Sequence, residues 1–157
     1  MISPELLRRY PSFGLFNETQ LKAIAMIAEE DSAPAGTVLF EERQPATHLY
    51  LLLEGGVDLS YRSEEEYHPK TRKEFAVGEI NPGELFSISA LIEPYVLNAT
   101  ARLSQDSKFV KIEAASLREL MEQDCSMGYL AMKQITKALM ERLIYTRVQL
   151  AACWSSS

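Results

Sequence analysis

Few residues in this chain could do chemistry, and their spacing narrows what that chemistry could be. The two histidines, His48 and His68, stand twenty positions apart, and Cys125 and Cys153 show neither paired nor metal-like spacing. No Gly-x-Ser-x-Gly, Cys–His pair or Walker loop occurs, so nucleophilic and phosphoryl-transfer chemistry lack a carrier. A histidine-held metal, an iron–sulfur cluster or an axially ligated haem would need ligand clusters that these spacings do not supply. The expectation is a protein that is not an enzyme, with no metal and no cofactor. One stretch stands apart. "PGELFSISALIEPYVLNAT", from Pro82 to Thr100, has the texture of a loop built to hold a phosphate. Such a loop needs a cation and a set of backbone N–H groups. Between Gly83 and Arg102 there is no arginine, lysine or histidine.

The elements that must position this loop can be read from capping and periodicity. Ser3 can cap a short helix with Pro4 at its first position, where a missing N–H costs nothing. Asn17 and Gln20 have capping-box spacing, and Phe16 with Leu21 fits a hydrophobic staple. Leu21, Ile24, Ala25 and Ala28 then share a helical face, so residues 1–32 are expected to form N-terminal helices. Residues 33–113 change texture. "PAGTVLFEE" sets a turn before a strand, and "HLYLLLEGGVDLSYR" places two strands around Gly55 and Gly56. "SEEEYHPKT" is a polar loop, "RKEFAVGEI" alternates with a slip at Gly78, and "ATARL" and "KFVKIE" supply two more strands. Short strands punctuated by Gly and Pro predict an antiparallel β-roll of the jelly-roll kind.

Residues 114–154 return to helix. Ser116 and Glu119 have capping-box spacing, and a long helix follows from about Ser126. Met132, Ile135, Leu139, Leu143, Thr146 and Leu150 fall three or four apart on it, close to a coiled-coil seam. A helix of about 25 residues would be about 37 Å long, more than so small a domain can cover. The seam is expected to make a homodimer, against the alternative of a helix packed on its own roll.

The 157 residues fit a single α+β domain spanning 1–157. Hydrophobic residues make up 46% and charged residues 24%, the range of ordinary globular chains. The longest aliphatic or aromatic run, "LYLLL", is too short to cross a bilayer, and "MISPELLRRYPS" lacks the apolar run of a signal peptide. Two unpaired thiols suit a reduced cytoplasm. The net charge of −6 disfavours nucleic acid as a partner. From Ser126 onward, Lys133, Lys137, Arg142 and Arg147 against Glu141 give a local +3, which reads as a solvated helix face.

The strings "LFNETQLKAIA", "PAGTVLFEERQPATHLYLLLEGGVDLSY", "INPGELFSISAL" and "SKFVKIEAASLRELME" together resemble the cyclic-nucleotide-binding domain family across about residues 6–148. The resemblance implies a β-roll with N-terminal helices and a C-terminal helix that transmits ligand occupancy. In bacterial regulators of this kind that helix is the dimer seam. The family's "FGELAL" falls on Phe86, Ser87, Ile88, Ser89, Ala90 and Leu91, so its ribose-binding glutamate position holds Ile88. Its phosphate arginine falls on Leu97, followed by Asn98, Ala99 and Thr100. The resemblance thus implies a ligand pocket of Phe86, Ser87, Ile88, Ser89, Ala90, Leu97, Asn98, Ala99 and Thr100 that lacks both ligand-defining side chains. Losing the arginine forfeits about 2–3 kcal/mol, and losing the glutamate about 1–3 kcal/mol. Cyclic AMP and cyclic GMP should then not bind in the usual way. Glu84 and Arg102 are the groups a slipped register could bring inward. A pocket filled by its own side chains, an apolar ligand and a purely structural interaction module stay open. After the long helix no room is left for a helix-turn-helix, so the chain is either free-standing or a sensor separated from its output domain.

Overall fold

The computed structural model describes residues 1–62 and 74–155. The polar loop "SEEEYHPKT", with His68, lies outside them.

Two short helices open the chain, α1 (Pro4–Arg8) and α2 (Glu18–Met26). Ser3 caps α1 by accepting from Glu5 N at 3.3 Å, with Pro4 in the first turn. The Asn17–Gln20 box forms reciprocally, at 2.8 and 3.0 Å. Phe16 and Leu21 lie in one core cluster, as a staple requires. The helical reading runs too far, however. Ala28 is not the last residue of a helical face but the first of a strand, β1 (Ala28–Ala33), paired antiparallel with the last strand of the roll. "AEED" propagates a helix well in isolation, and the ladder to the distant strand overrides it.

The roll continues through β2 (Val38–Phe40), β3 (His48–Glu54), β4 (Val57–Arg62), β5 (Glu74–Ile80), β6 (Leu85–Phe86), β7 (Thr100–Leu103) and β8 (Ser107–Glu113). These make two four-stranded antiparallel sheets, ordered β1-β8-β3-β6 and β2-β7-β4-β5. The strands flanking Gly55–Gly56 are therefore not a hairpin: β3 and β4 belong to different sheets. Gly55 has φ +101, and a Cβ there would meet the Asp106 carbonyl at 2.7 Å as well as the Ser107 hydroxyl. The slip in β5 is real. Leu59 faces Gly78 and Ser60 faces Ala76, leaving Val77 as the extra residue of a bulge.

Two core layers follow from β3. Leu49 and Leu51 face the helices, together with Leu7, Leu21, Ile24, Val110, Ile112 and Ile135. Tyr50 and Leu52 face between the sheets, with Leu59, Phe86, Ala101 and Phe109. A strand covered on both sides has no polar face, which explains the uninterrupted "LYLLL".

Helix α3 (Ala114–Gln123) begins earlier than its sequence suggests. Glu113 stands at its N-cap, and Ser116 donates to Glu113 Oε1 at 2.8 Å, in place of a box with Glu119. Helix α4 (Cys125–Ser155) starts at an Asp124 cap that accepts from Met127 N at 3.1 Å. Its first half packs on the body through Met127, Ala131 and Ile135. From Leu139 onward its large apolar residues are exposed.

Candidate ligand site

The stretch Pro82–Thr100 folds back on the open end of the roll. Strand β6 ends at Phe86, and Ser87 reverses the chain with φ +61. Serine can hold this left-handed conformation because its hydroxyl donates to His48 O at 2.7 Å. A 3-10 turn over Ile88–Leu91 follows, with Ala90 N bonded to Ser87 O at 3.1 Å. The returning segment pairs with residues 43–46: Leu97 N donates to Gln44 O at 2.9 Å, Arg43 N to Leu97 O at 2.7 Å and Ala46 N to Tyr95 O at 2.8 Å. From outside, Arg118 of α3 donates to Ala90 O at 2.6 Å, and its guanidinium carbon sits 3.9 Å above the Tyr95 ring. The stack carries the loop on a cation–π contact.

Ile88 and Leu97 point into packing. Ile88 is 3% exposed in the helix-facing core, and Leu97 is 5% exposed among Ala46, Ala90 and Ala114. Phe86, Ala90 and Ala99 are buried too. Asn98 and Val96 are exposed, and Ser89 and Thr100 are half-buried. Thr100 points away from the roll interior, and its hydroxyl accepts from Glu42 N at 3.2 Å. Neither rescue candidate turns inward. Arg102 is exposed and donates to Gly36 O at 3.1 Å, while Glu84 accepts from Asn81 N at 2.8 Å.

A cavity of about 340 Å³ remains at the mouth, lined by Leu39, Phe40, Gln44, Pro45, Thr47, His48, Tyr50, Ser87 and Leu97. Of the nine residues expected from sequence, only Ser87 and Leu97 line it. Two of its lining residues are aromatic: the Tyr50 ring lies 5.6 Å from Phe40, and behind it 5.0 Å from the fully buried Phe86. These rings come from three strands, so no local motif marks them. Burial and then the neighbouring Lys111 ammonium hold His48 below its usual value, against weaker opposing effects of Glu113 and Glu29. Burial pushes the Tyr50 phenol up. At neutral pH the walls of this cavity carry no charge. A flat, neutral group suits them, and a phosphodiester would enter without a counter-charge. Among the described residues no cluster of His, Cys, Asp and Glu is placed to hold a metal ion, and no helix is long and apolar enough to cross a membrane.

The family model described as "Cyclic nucleotide-binding domain" matches residues 30–124. A Geobacter metallireducens GS-15 protein, whose name carries a provisional cyclic-nucleotide-binding assignment, is 40% identical. The match covers 91% of this chain and 99% of that one, with a TM-score of 0.79. The N-terminal domain of a transcriptional regulator from Streptomyces coelicolor A3(2) shares the fold at 23% identity, covering 87% and 91% of the two chains, with a TM-score of 0.65. The sensor domain of the transcriptional regulator DNR from Pseudomonas aeruginosa does so at 16% identity, covering 88% and 89%, with a TM-score of 0.70. Comparison with curated proteins gives no match.

Proposed function

The chain belongs to the cyclic nucleotide-binding domain family, and from that premise we propose that it is a non-enzymatic regulatory or sensor module whose cassette does not take cyclic AMP or cyclic GMP in the usual way. The observation that carries this is the burial of Ile88 and Leu97 at 3% and 5% exposure. The positions that would meet ribose and phosphate are instead part of the core. The pairing of Leu97 N with Gln44 O also removes one N–H that a phosphate could have used. The reading includes a cytoplasmic homodimer joined along α4, with no direct contact to nucleic acid. The exposed Leu139, Leu143 and Leu150 support the seam, whereas Ile135 is 1% exposed in the domain's own core and contributes nothing to a partner.

Calorimetry with cyclic AMP and cyclic GMP is the test. No heat of binding is expected at low micromolar concentrations, and tight binding would sink the reading. The double substitution Ile88→Glu with Leu97→Arg should create measurable affinity, since each restored contact is worth about 1–3 kcal/mol. A melting curve must accompany it, because an unpaired arginine in an apolar site costs several kcal/mol on its own.

The neutral, aromatic cavity at Tyr50 and Phe40 favours a second reading, an apolar-ligand sensor. Native mass spectrometry of freshly purified protein would reveal a retained small molecule. A structural interaction module is the remaining alternative, favoured by the exposed apolar half of α4.

A further inference from the structure

A second cleft lies away from the cassette, where α4 crosses the turn between β5 and β6. It encloses about 330 Å³, and Gln134, Lys137, Glu141, Arg142, Tyr145 and Glu84 line it. Arg142 is half-buried, and among the described residues its guanidinium donates only to the Leu85 carbonyl, at 3.1 Å. A guanidinium has five N–H donors in a fixed fork, so the outward edge is left to face the cleft. Lys137 is exposed five residues earlier and also lines the cleft, and among the described residues it makes no hydrogen bond or ion pair. The two cations share the cleft with the carboxylates of Glu84, Glu141 and Glu79. Among the described residues Glu84 accepts only from Asn81 N, through one oxygen, and its charge and that of Glu141 lie close enough to Arg142 to oppose the effect of burial on it.

This charge arrangement selects against simple ions. A phosphate or cyclic nucleotide would meet Arg142 but also three carboxylates. A plain amine would meet the carboxylates but also a partly desolvated guanidinium, which is costly to crowd with like charge. A compact molecule carrying both charges satisfies each side: its carboxylate on the Arg142 fork and Lys137, its ammonium on Glu84 and Glu141. The cavity volume is adequate for a molecule of that size.

We propose that this cleft is an effector site for a small zwitterionic amino-carboxylate, such as a free α-amino acid. The proposal rests on the sensor reading above but not on the cassette. Its position gives occupancy something to act on. Leu85 lies two residues before the Ser87 reversal, and Arg142 lies about two helical turns beyond Ile135, the last α4 residue buried on the body. A carboxylate on Arg142 acts on its hydrogen bond to Leu85, which among the described residues is the one that joins α4 to the strand leading into the cassette.

The test is a thermal-shift and calorimetric titration of the full chain with the individual L-amino acids at millimolar concentrations. Sodium acetate, methylammonium chloride and sodium phosphate at matched ionic strength serve as controls. One or a few amino acids should raise the melting temperature, and the controls should not. Arg142→Gln should weaken binding about tenfold or more, as expected for a lost charge-assisted bond. Because Arg142→Gln also breaks the tie to Leu85, Lys137→Gln provides an arm that leaves the fold untouched and should still weaken binding several-fold. Arg102→Gln, which removes an exposed cation elsewhere on the roll, should leave the affinity unchanged, which separates this cleft from a general effect of net charge. Absence of any amino-acid effect would overturn the proposal, as would acetate matching the best amino acid. Unaltered affinity in Lys137→Gln and Arg142→Gln would do so too. Cyclic-nucleotide binding at the cassette would contradict the reading of the cassette while leaving this cleft standing.

Discussion

His48 shows how a single side chain at the mouth of the roll couples charge to fold. Its ring lies 2.9 Å from Thr47 Oγ1 and 6.2 Å from the Tyr50 ring, and its carbonyl holds the Ser87 hydroxyl. Burial, and then Lys111, favour the neutral imidazole, so the folded-state pKa lies below the usual 6.5. Between the two pKa values the unfolded chain binds more protons than the folded one. The stabilising contribution is therefore fully present above about 6.5 and is lost as pH falls through the folded-state value. Melting temperatures measured from pH 7.5 downward should drop more steeply for the native chain than for His48→Gln. Parallel curves would mean that the ring is free to charge in place.

At the scale of elements, Gln20 does two things at once. It is 5% exposed, closes the capping box with Asn17, and donates from Nε2 to Asp124 Oδ2 at 3.0 Å. Asp124 in turn caps α4 through Met127 N. One amide thus fixes the start of the second helix against the start of the fourth. The Gln20 hydrogen bond, and then that of Met127, hold the Asp124 carboxyl below its usual range. Their benefit is present above the usual carboxylate value and fades in acid. Gln20→Ala should lower stability at neutral pH by about 1–2 kcal/mol, from the lost box and the small void it leaves. Urea melts at pH 7 would measure it, and a loss below a few tenths would refute the double role. The sequence marks Gln20 as a helix cap and gives no sign of Asp124, which lies 104 positions away.

For the whole molecule, α4 is the part that the domain leaves unfinished. Its 31 residues correspond to about 46 Å of helix. The body buries Met127, Ala131 and Ile135, while Leu139, Leu143 and Leu150 stand 42%, 56% and 57% exposed. Lone exposed apolar residues are ordinary, but a row at helical spacing is not. Light scattering after gel filtration should give twice 17.7 kDa, and Leu139→Glu should give a monomer with an unchanged melting curve in dilute solution. A monomeric native chain at tens of micromolar would count against the seam.

The sequence by itself determined the class of fold, the N-terminal caps, the slip in the alternation of β5 and the apolar character of Ile88 and Leu97. These features are written in neighbouring residues, where capping, alternation and residue type act over a few positions. Three features were settled only by long-range pairing. The segment after Met26 became β1 because β8, some eighty positions on, offered it a complete ladder. Gly55–Gly56 became a crossing between sheets because β3 paired with β6 and β8. The cavity acquired the rings of Phe40 and Tyr50 from two strands, with Phe86 of a third packed behind them. Local patterning specifies which face of a strand is apolar, whereas the neighbour that covers that face is chosen by the packing of the whole chain.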